Sequence, residues 1–165
     1  MLVVDDRDFL GEVVLIRLRL LGVPLERDEG EYAYMAQRFL QGALPYTESQ
    51  SMKFPGIIFV YAGIFTIFGQ TPVAIHLSLL FVNFATAFLL VLLGRNLLGL
   101  VAGLVSGVSF SVLTLSPALH GIWANTEHFV LLPAIGGILL LRVARDQPTQ
   151  FFFSGLLLGC ALLIK

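Results

Sequence analysis

Three short groups of ionisable side chains stand out in this sequence because they adjoin or interrupt very apolar segments. They are Asp28 with Glu29, then Lys53, and further on Glu127 with His128. A carboxylate can take a proton from an attacking hydroxyl or amine, and a lysine can neutralise the charge that develops on a phosphate leaving group. Ionisable groups at a membrane face are costly, so they are functional candidates by default.

The composition places most of the chain in a membrane. It is 57% hydrophobic and 13% charged, with a mean hydropathy of +0.88, whereas soluble domains carry about 25% charged residues. The net charge of −1 carries no information about a nucleic-acid partner, and no basic run suggests one, so we expect none. The single cysteine, Cys160, cannot form an internal disulfide. From residue 54 onward the charged residues are Arg95, Glu127, Arg142, Arg145, Asp146 and Lys165.

The first 53 residues contain Asp28, Glu29 and Lys53 of the candidate site. Residues 1–22 hold an apolar stretch that is too short and too charged to span a bilayer, so we expect a partial first helix. Residues 23–53 form a loop with one juxtamembrane helix over 29–42, where apolar residues recur at helical spacing. Asp28 then falls at the helix start, where it serves either the chemistry or simply as a helix cap.

The remaining apolar segments predict an all-α polytopic membrane protein. Residues 54–69 make about 24 Å of helix, short for a hydrocarbon core of about 30 Å, so we place them along the interface. Arg95, Arg142 and Arg145 then all face the cytoplasm, as the positive-inside rule requires, and Asp28, Lys53 and Glu127 share the opposite face. The predicted transmembrane helices cover residues 72–93, 98–117, 128–144 and 150–165.

Several sequence stretches together resemble a known family. They read DEGEYAYMAQRFLQG, MKFPG, FGQTPVAIHL and LSPALHGIWANTEHF. In this order they resemble the polytopic glycosyltransferases of the dolichyl-phosphate-mannose–protein mannosyltransferase and aminoarabinose transferase type, within the GT-C superfamily. The resemblance implies juxtamembrane helices in the first external loop and transfer of a sugar from a polyprenyl-phosphate donor to a lipid, glycan or protein acceptor on the non-cytoplasmic side.

The resemblance also implies roles for individual residues. Asp28 matches the catalytic acid, and Glu29, its neighbour in the motif, is a second candidate catalytic residue. Lys53 matches the lysine near the donor phosphate, although it could instead snorkel to lipid headgroups. Glu127 matches an acid of the second external loop, although it could instead pair with His128 or cap its helix. Tyr32 joins Glu127 and His128 as a candidate substrate-binding residue, with an interfacial belt position as the alternative.

Some residues depart from the family pattern. Ser51 and Met52 stand just before Lys53, where members carry an acid, which argues against a divalent metal held by protein ligands alone. His76 and His120 are assigned no role.

Chain length bears on the activity to be expected. Family members run to several hundred residues, so we expect this chain to be the N-terminal portion of a larger fold and, on its own, inactive. The alternatives are an inactive paralogue or assembly partner and, less favoured, a lipid or solute transporter. We expect an integral protein of the bacterial inner membrane.

Overall fold

A computed structural model describes residues 6–47, 53–144 and 147–165, with the backbone alone for residues 6–10. These residues form helices and turns and no strand, which confirms the all-helical prediction. Short 3₁₀ turns lie at Leu20–Gly22 and Pro117–Leu119. The α-helices are α1 (Asp6–Arg19), α2 (Arg27–Leu40), α3 (Gly56–Phe68), α4 (Pro72–Leu98), α5 (Leu100–Leu113), α6 (Thr126–Val143) and α7 (Pro148–Ile164).

The start of α2 is set by a reciprocal pair of glutamates. The Glu26 side chain accepts a hydrogen bond from the Asp28 backbone at 3.0 Å, and Glu29 accepts one from the Glu26 backbone at 2.9 Å. This capping box satisfies amide donors that an isolated helix end would leave open. Asp28 is therefore not the cap, and its side chain is left for other contacts. The helix begins two residues before the predicted range because its cap is Glu26.

In the described part of the chain, two helices are long and apolar enough to cross a membrane, as judged by length and composition. They are α4, with 27 residues, and α6, with 18. The predicted segments 72–93 and 128–144 fall on them, and α4 continues to Leu98 because Gly99, with φ of 100°, is the first residue to break it. Large apolar side chains on the outer side of α4 are exposed, such as Phe84 at 70%. That exposure suits a helix surrounded by lipid.

Two of the other apolar helices, α3 and α5, are shorter than the predicted segments. α5 has 14 residues and ends at Leu113, whereas the predicted segment ran to residue 117. The chain turns after Leu113 and reaches Pro117, whose ring cannot supply the amide donor that a longer helix needs. α7, with 17 residues, covers most of the predicted segment 150–165. The interfacial position of residues 54–69, which hold α3, stays a prediction.

Helix packing gives the bundle two chemically different ends. α4 and α6 run in the same direction, because His128 contacts Asn83 near one end and Gly136 faces Leu89 farther along. Both helices carry an arginine in their last turn, namely Arg95 and Arg142. α5 returns antiparallel to α4, and α7 returns antiparallel to α6. The arginines thus lie at one end, and the start of α6 lies at the other.

Glycine allows the closest backbone approach between α3 and α7. A Cβ at Gly56 would overlap the backbone of Leu163. The first turn of α3 therefore lies directly against the last turn of α7, at the same end of the bundle as the start of α6.

An aromatic core supports that end. The Tyr61 hydroxyl donates a hydrogen bond to the Ala124 carbonyl oxygen at 2.7 Å. Its ring meets Tyr32 and Phe129 edge to face, with centroids 5.7 and 6.0 Å apart. Such pairs add about 0.5–1.5 kcal/mol each to the energy of burial. The core joins α2 and α3 to the loop before α6.

Candidate functional site

A polar cavity of about 350 Å³ opens where α2 and α6 begin. Four of the predicted site residues line it, although they come from distant parts of the sequence: Asp28, Lys53, Glu127 and His128. The remaining lining residues are Leu119, His120 and Asn125. A cavity of this size is within the range of small-molecule sites.

Asp28 offers an accessible carboxylate at the start of α2. Its side chain is 33% exposed and lies 3.3 Å from the Arg27 guanidinium, which is itself 89% exposed. An exposed ion pair of this kind contributes little energy, so Arg27 can move away from Asp28 at small cost. Asp28 is therefore suited to accept a proton.

Glu127 forms an ion pair with Lys165, a residue whose position in the sequence indicated no role. Lys165 Nζ lies 2.5 Å from Glu127 Oε1, and both side chains are 55% exposed. The Thr126 hydroxyl donates to the other carboxylate oxygen at 3.2 Å. Lys165 ends the last apolar run, and the antiparallel return of α7 brings it beside the start of α6. The sequence shows Lys165 as an isolated cation beside an apolar run, which could have marked it as a candidate. Its pairing with Glu127 could not be predicted without knowing the directions of α6 and α7.

Two histidines lie on the cavity wall. His128 is buried, and its Nδ1 lies 2.9 Å from the Asn83 Oδ1 atom of α4. Because an amide oxygen can only accept, His128 Nδ1 donates in this pair. His120, to which we assigned no role, also lines the cavity, and its ring packs against Trp123 with centroids 5.2 Å apart.

Lys53 completes the polar lining from the segment before α3. The Tyr46 hydroxyl donates to the Lys53 carbonyl oxygen at 2.6 Å, which ties the lysine backbone to the loop after α2. The residues just before it, Ser51 and Met52, lie outside the described residues. The snorkelling alternative for Lys53 stays open beside the phosphate role.

Glu29 is oriented away from the cavity although it adjoins Asp28 in sequence. Its carboxylate is fully buried and accepts hydrogen bonds from the backbone amides of Ala124 and Glu26. His76 Nε2 lies 3.3 Å from Glu29 Oε1. Burial alone would raise the pKa of Glu29, but His76 and the two amides outweigh burial and lower it. The contacts of Glu29 therefore join α2, α4 and the loop before α6.

Tyr32 lies behind the cavity rather than in its wall. Only 1% of its surface is exposed. Burial, followed by the negative charges of Asp28, Glu127 and Glu31, raises the pKa of Tyr32 to about 12. The neutral phenol packs in the aromatic core, so it supports the residues that line the cavity.

The described donor atoms do not form a metal site of familiar composition. No three His, Cys, Asp or Glu side chains lie close enough together to hold a metal ion within residues 6–47, 53–144 and 147–165. Mg²⁺ and Ca²⁺ need about six oxygen ligands, and one carboxylate here, that of Glu127, is already paired with Lys165. The expectation that protein ligands alone do not hold a divalent metal stays a prediction.

Comparisons with protein-family models, with curated proteins and with solved structures return no match for this chain.

Proposed function

We propose that this chain carries the active loop of a polytopic membrane glycosyltransferase, which moves a sugar from a polyprenyl-phosphate donor to an acceptor at the non-cytoplasmic face. The observation that carries the proposal is the cavity itself. Asp28, Lys53 and Glu127 converge on it from three separate segments. It provides a base, a cation and a second carboxylate within one small polar space, which is the set of groups that this reaction requires.

The reaction follows from the chemistry of these groups. The acceptor oxygen or nitrogen forms a bond to the anomeric carbon of the sugar, and the bond from that carbon to the phosphate oxygen breaks. Polyprenyl phosphate leaves with the bonding electrons, and Lys53 neutralises its charge. The acceptor proton passes to Asp28. Glycosyl transfer proceeds through a state with positive charge on the sugar ring, which nearby carboxylates stabilise.

Glu127 and His128 suit the binding of sugar hydroxyls in this scheme. The Glu127 carboxylate contacts both the Lys165 ammonium, at 2.5 Å, and the Thr126 hydroxyl, at 3.2 Å. These two contacts together favour one orientation of the carboxylate before substrate arrives. The Asn83 contact does the same for the His128 ring. Side chains that are already held in place lose less conformational entropy when substrate binds. The positions of Glu127 and His128 therefore favour the binding of sugar hydroxyls.

The distribution of charge along the bundle supports the proposed orientation. Arg95 and Arg142 end parallel helices, at the end of the bundle opposite to the cavity. With the arginine end in the cytoplasm, the positive-inside rule is obeyed and the cavity opens to the non-cytoplasmic side.

Donor binding and turnover test the proposal separately. Binding of a radiolabelled polyprenyl-phosphate sugar is measured on the 165-residue chain in lipid nanodiscs, with Lys53→Met as the variant. Turnover is measured on the protein isolated from its own membranes, so that any part outside these 165 residues is included. Asp28→Asn should lower turnover by about 10²-fold or more, the usual scale for loss of acid–base catalysis. Donor binding should persist because the side-chain shape is kept.

Glu31→Gln is the matched control, since it removes the same charge from the same helix without touching the cavity lining. It should leave turnover within about twofold of the parent. A protein that binds the donor but transfers no sugar would support the assembly-partner alternative. A protein that does not bind the donor, or an Asp28→Asn variant with normal turnover, would refute the proposal.

A further inference from the structure

A second, smaller cavity of about 100 Å³ lies between α1, α4 and α5, apart from the polar cavity described above. Its wall is apolar, with Val13, Val14, Leu80 and Phe84 among the lining residues. The rim is exposed, since 70% of Phe84 and 41% of Val14 are accessible. The opening therefore faces sideways from the outer surface of α4, where a membrane-spanning helix meets lipid.

One guanidinium lies in this apolar wall. Arg17 is 8% exposed, and one of its terminal nitrogens donates to the Thr114 carbonyl oxygen at 3.1 Å and to the Thr114 hydroxyl at 2.6 Å. A guanidinium has five N–H donors, so these two contacts do not exhaust it. Among the described residues no carboxylate lies within ion-pair distance of Arg17. A buried cation is costly unless an anion compensates it.

A second polar group in the same wall also has a donor to spare. Asn83 is 4% exposed, and its Oδ1 is engaged by His128. Its Nδ2 atom is buried and has no hydrogen-bond partner in the described part of the chain. Leaving a buried donor unpaired costs about 1–3 kcal/mol. The cavity thus presents an unpaired amide donor and an uncompensated cation beside an apolar wall.

We propose that this cavity binds an anionic membrane glycerophospholipid. The phosphate would accept hydrogen bonds from Arg17 and from Asn83 Nδ2, and one acyl chain would lie along Val13, Leu80 and Phe84. A guanidinium is well matched to a phosphate because it offers parallel donors. The lateral opening selects a ligand that arrives from the bilayer. This site does not depend on the proposed transferase activity, and its test includes no turnover measurement.

Lipid binding can be measured directly on the 165-residue chain. The purified protein is delipidated in a mild detergent and titrated with short-chain phosphatidylglycerol, with native mass spectrometry as the readout. Diacylglycerol, inorganic phosphate and polyprenyl phosphate are the competing probes. Arg17→Gln should weaken phosphatidylglycerol binding by about ten- to a hundredfold, the range for hydrogen bonds to a charged group. Arg19→Gln is the control, because Arg19 lies on the same helix but is exposed.

A second variant guards against loss of the fold. Asn83→Asp keeps the oxygen that contacts His128 and replaces the unpaired amide with a carboxylate oxygen in the cavity that Arg17 also lines. It should retain the fold and still abolish phosphatidylglycerol binding, because it supplies the missing anion from the protein. Normal binding by Asn83→Asp or by Arg17→Gln would overturn the proposal. The proposal would also be overturned if diacylglycerol, which lacks the phosphate, bound as tightly as phosphatidylglycerol. It would be overturned as well if inorganic phosphate alone, or polyprenyl phosphate alone, among the competing probes displaced phosphatidylglycerol.

Discussion

Replacing Glu29 should unfold the end of the bundle that holds the polar cavity. Its carboxylate is fully buried and serves three partners: the amides of Glu26 and Ala124, and the imidazole of His76. Glu29→Ala leaves all three without their acceptor. Breaking a buried ionic group from its partners typically costs about 3–5 kcal/mol. We therefore expect a loss of about that size in the free energy of unfolding.

A conservative variant refines the magnitude. Glu29→Gln keeps one acceptor oxygen but replaces the other with an NH₂ group. That NH₂ group then faces an N–H donor and cannot accept its hydrogen bond. It should cost about 2–3 kcal/mol, since hydrogen bonds to charged groups contribute about 1.5–3 kcal/mol each. Glu31→Gln, on the same helix and partly exposed, should change stability by no more than about 0.5 kcal/mol. The comparison separates loss of the buried contacts from loss of a negative charge.

Trp123 provides the assay. It is the single tryptophan of the sequence and directly precedes Ala124, whose amide donates to Glu29. Its fluorescence is followed while the chain in mixed micelles is unfolded with increasing denaturing detergent. A Glu29→Ala variant within about 1 kcal/mol of the parent would refute the structural role. If Glu29→Gln were fully stable yet blocked transfer, Glu29 would be catalytic, the role for which the sequence made it a candidate beside Asp28.

Two further predictions concern pH and membrane orientation. Folding lowers the pKa of Glu29 from 4.5, so the ionised carboxylate stabilises the fold above that pH and this stabilisation is lost as the pH falls through the folded pKa. The free energy of unfolding should therefore drop below about pH 4.5, and the drop should be smaller in Glu29→Gln. The same dependence of unfolding free energy on pH in both proteins would contradict the stabilising role of Glu29. The membrane orientation can be tested by thiol labelling in a Cys160→Ser background. Thr47→Cys should react with a membrane-impermeant thiol reagent added to intact cells, whereas Asn96→Cys should react only after the cells are permeabilised. Labelling of both cysteines from the same side would contradict the predicted topology.

The sequence predicted the positions of the helices better than the side-chain contacts between them. Helical spacing placed α2 to within two residues at either end, and apolar length identified α4 and α6 as candidate spans. The convergence of Asp28, Lys53 and Glu127 was also predicted, through the count of crossings and the positions of the arginines. These features depend on local periodicity and on average hydropathy, both of which can be read along one chain.

Other features could not be read in this way. The pairing of Lys165 with Glu127 depends on the antiparallel direction of α7, and the burial of Arg17 depends on where α1 packs. The orientation of single residues at the start of α2 was also out of reach, because three carboxylates, those of Glu26, Asp28 and Glu29, lie within one turn of one another. In the structure Glu26 is the cap, Glu29 is its partner in the capping box, and the Ala124 amide of the loop before α6 also donates to Glu29.

The adjacent acids Asp28 and Glu29 show how one motif supplies both support and chemistry. Successive helical residues point about 100° apart, so one side chain of the pair can enter the core while the other reaches the cavity. Glu29 anchors the loop before α6 through Ala124, and that loop carries His120 and Asn125 in the cavity wall. Asp28 shares the same backbone turn, so anchoring Glu29 also sets the position of the proposed base. A substitution at Glu29 should therefore lower turnover indirectly and in proportion to lost stability, whereas a substitution at Asp28 should lower turnover without that loss.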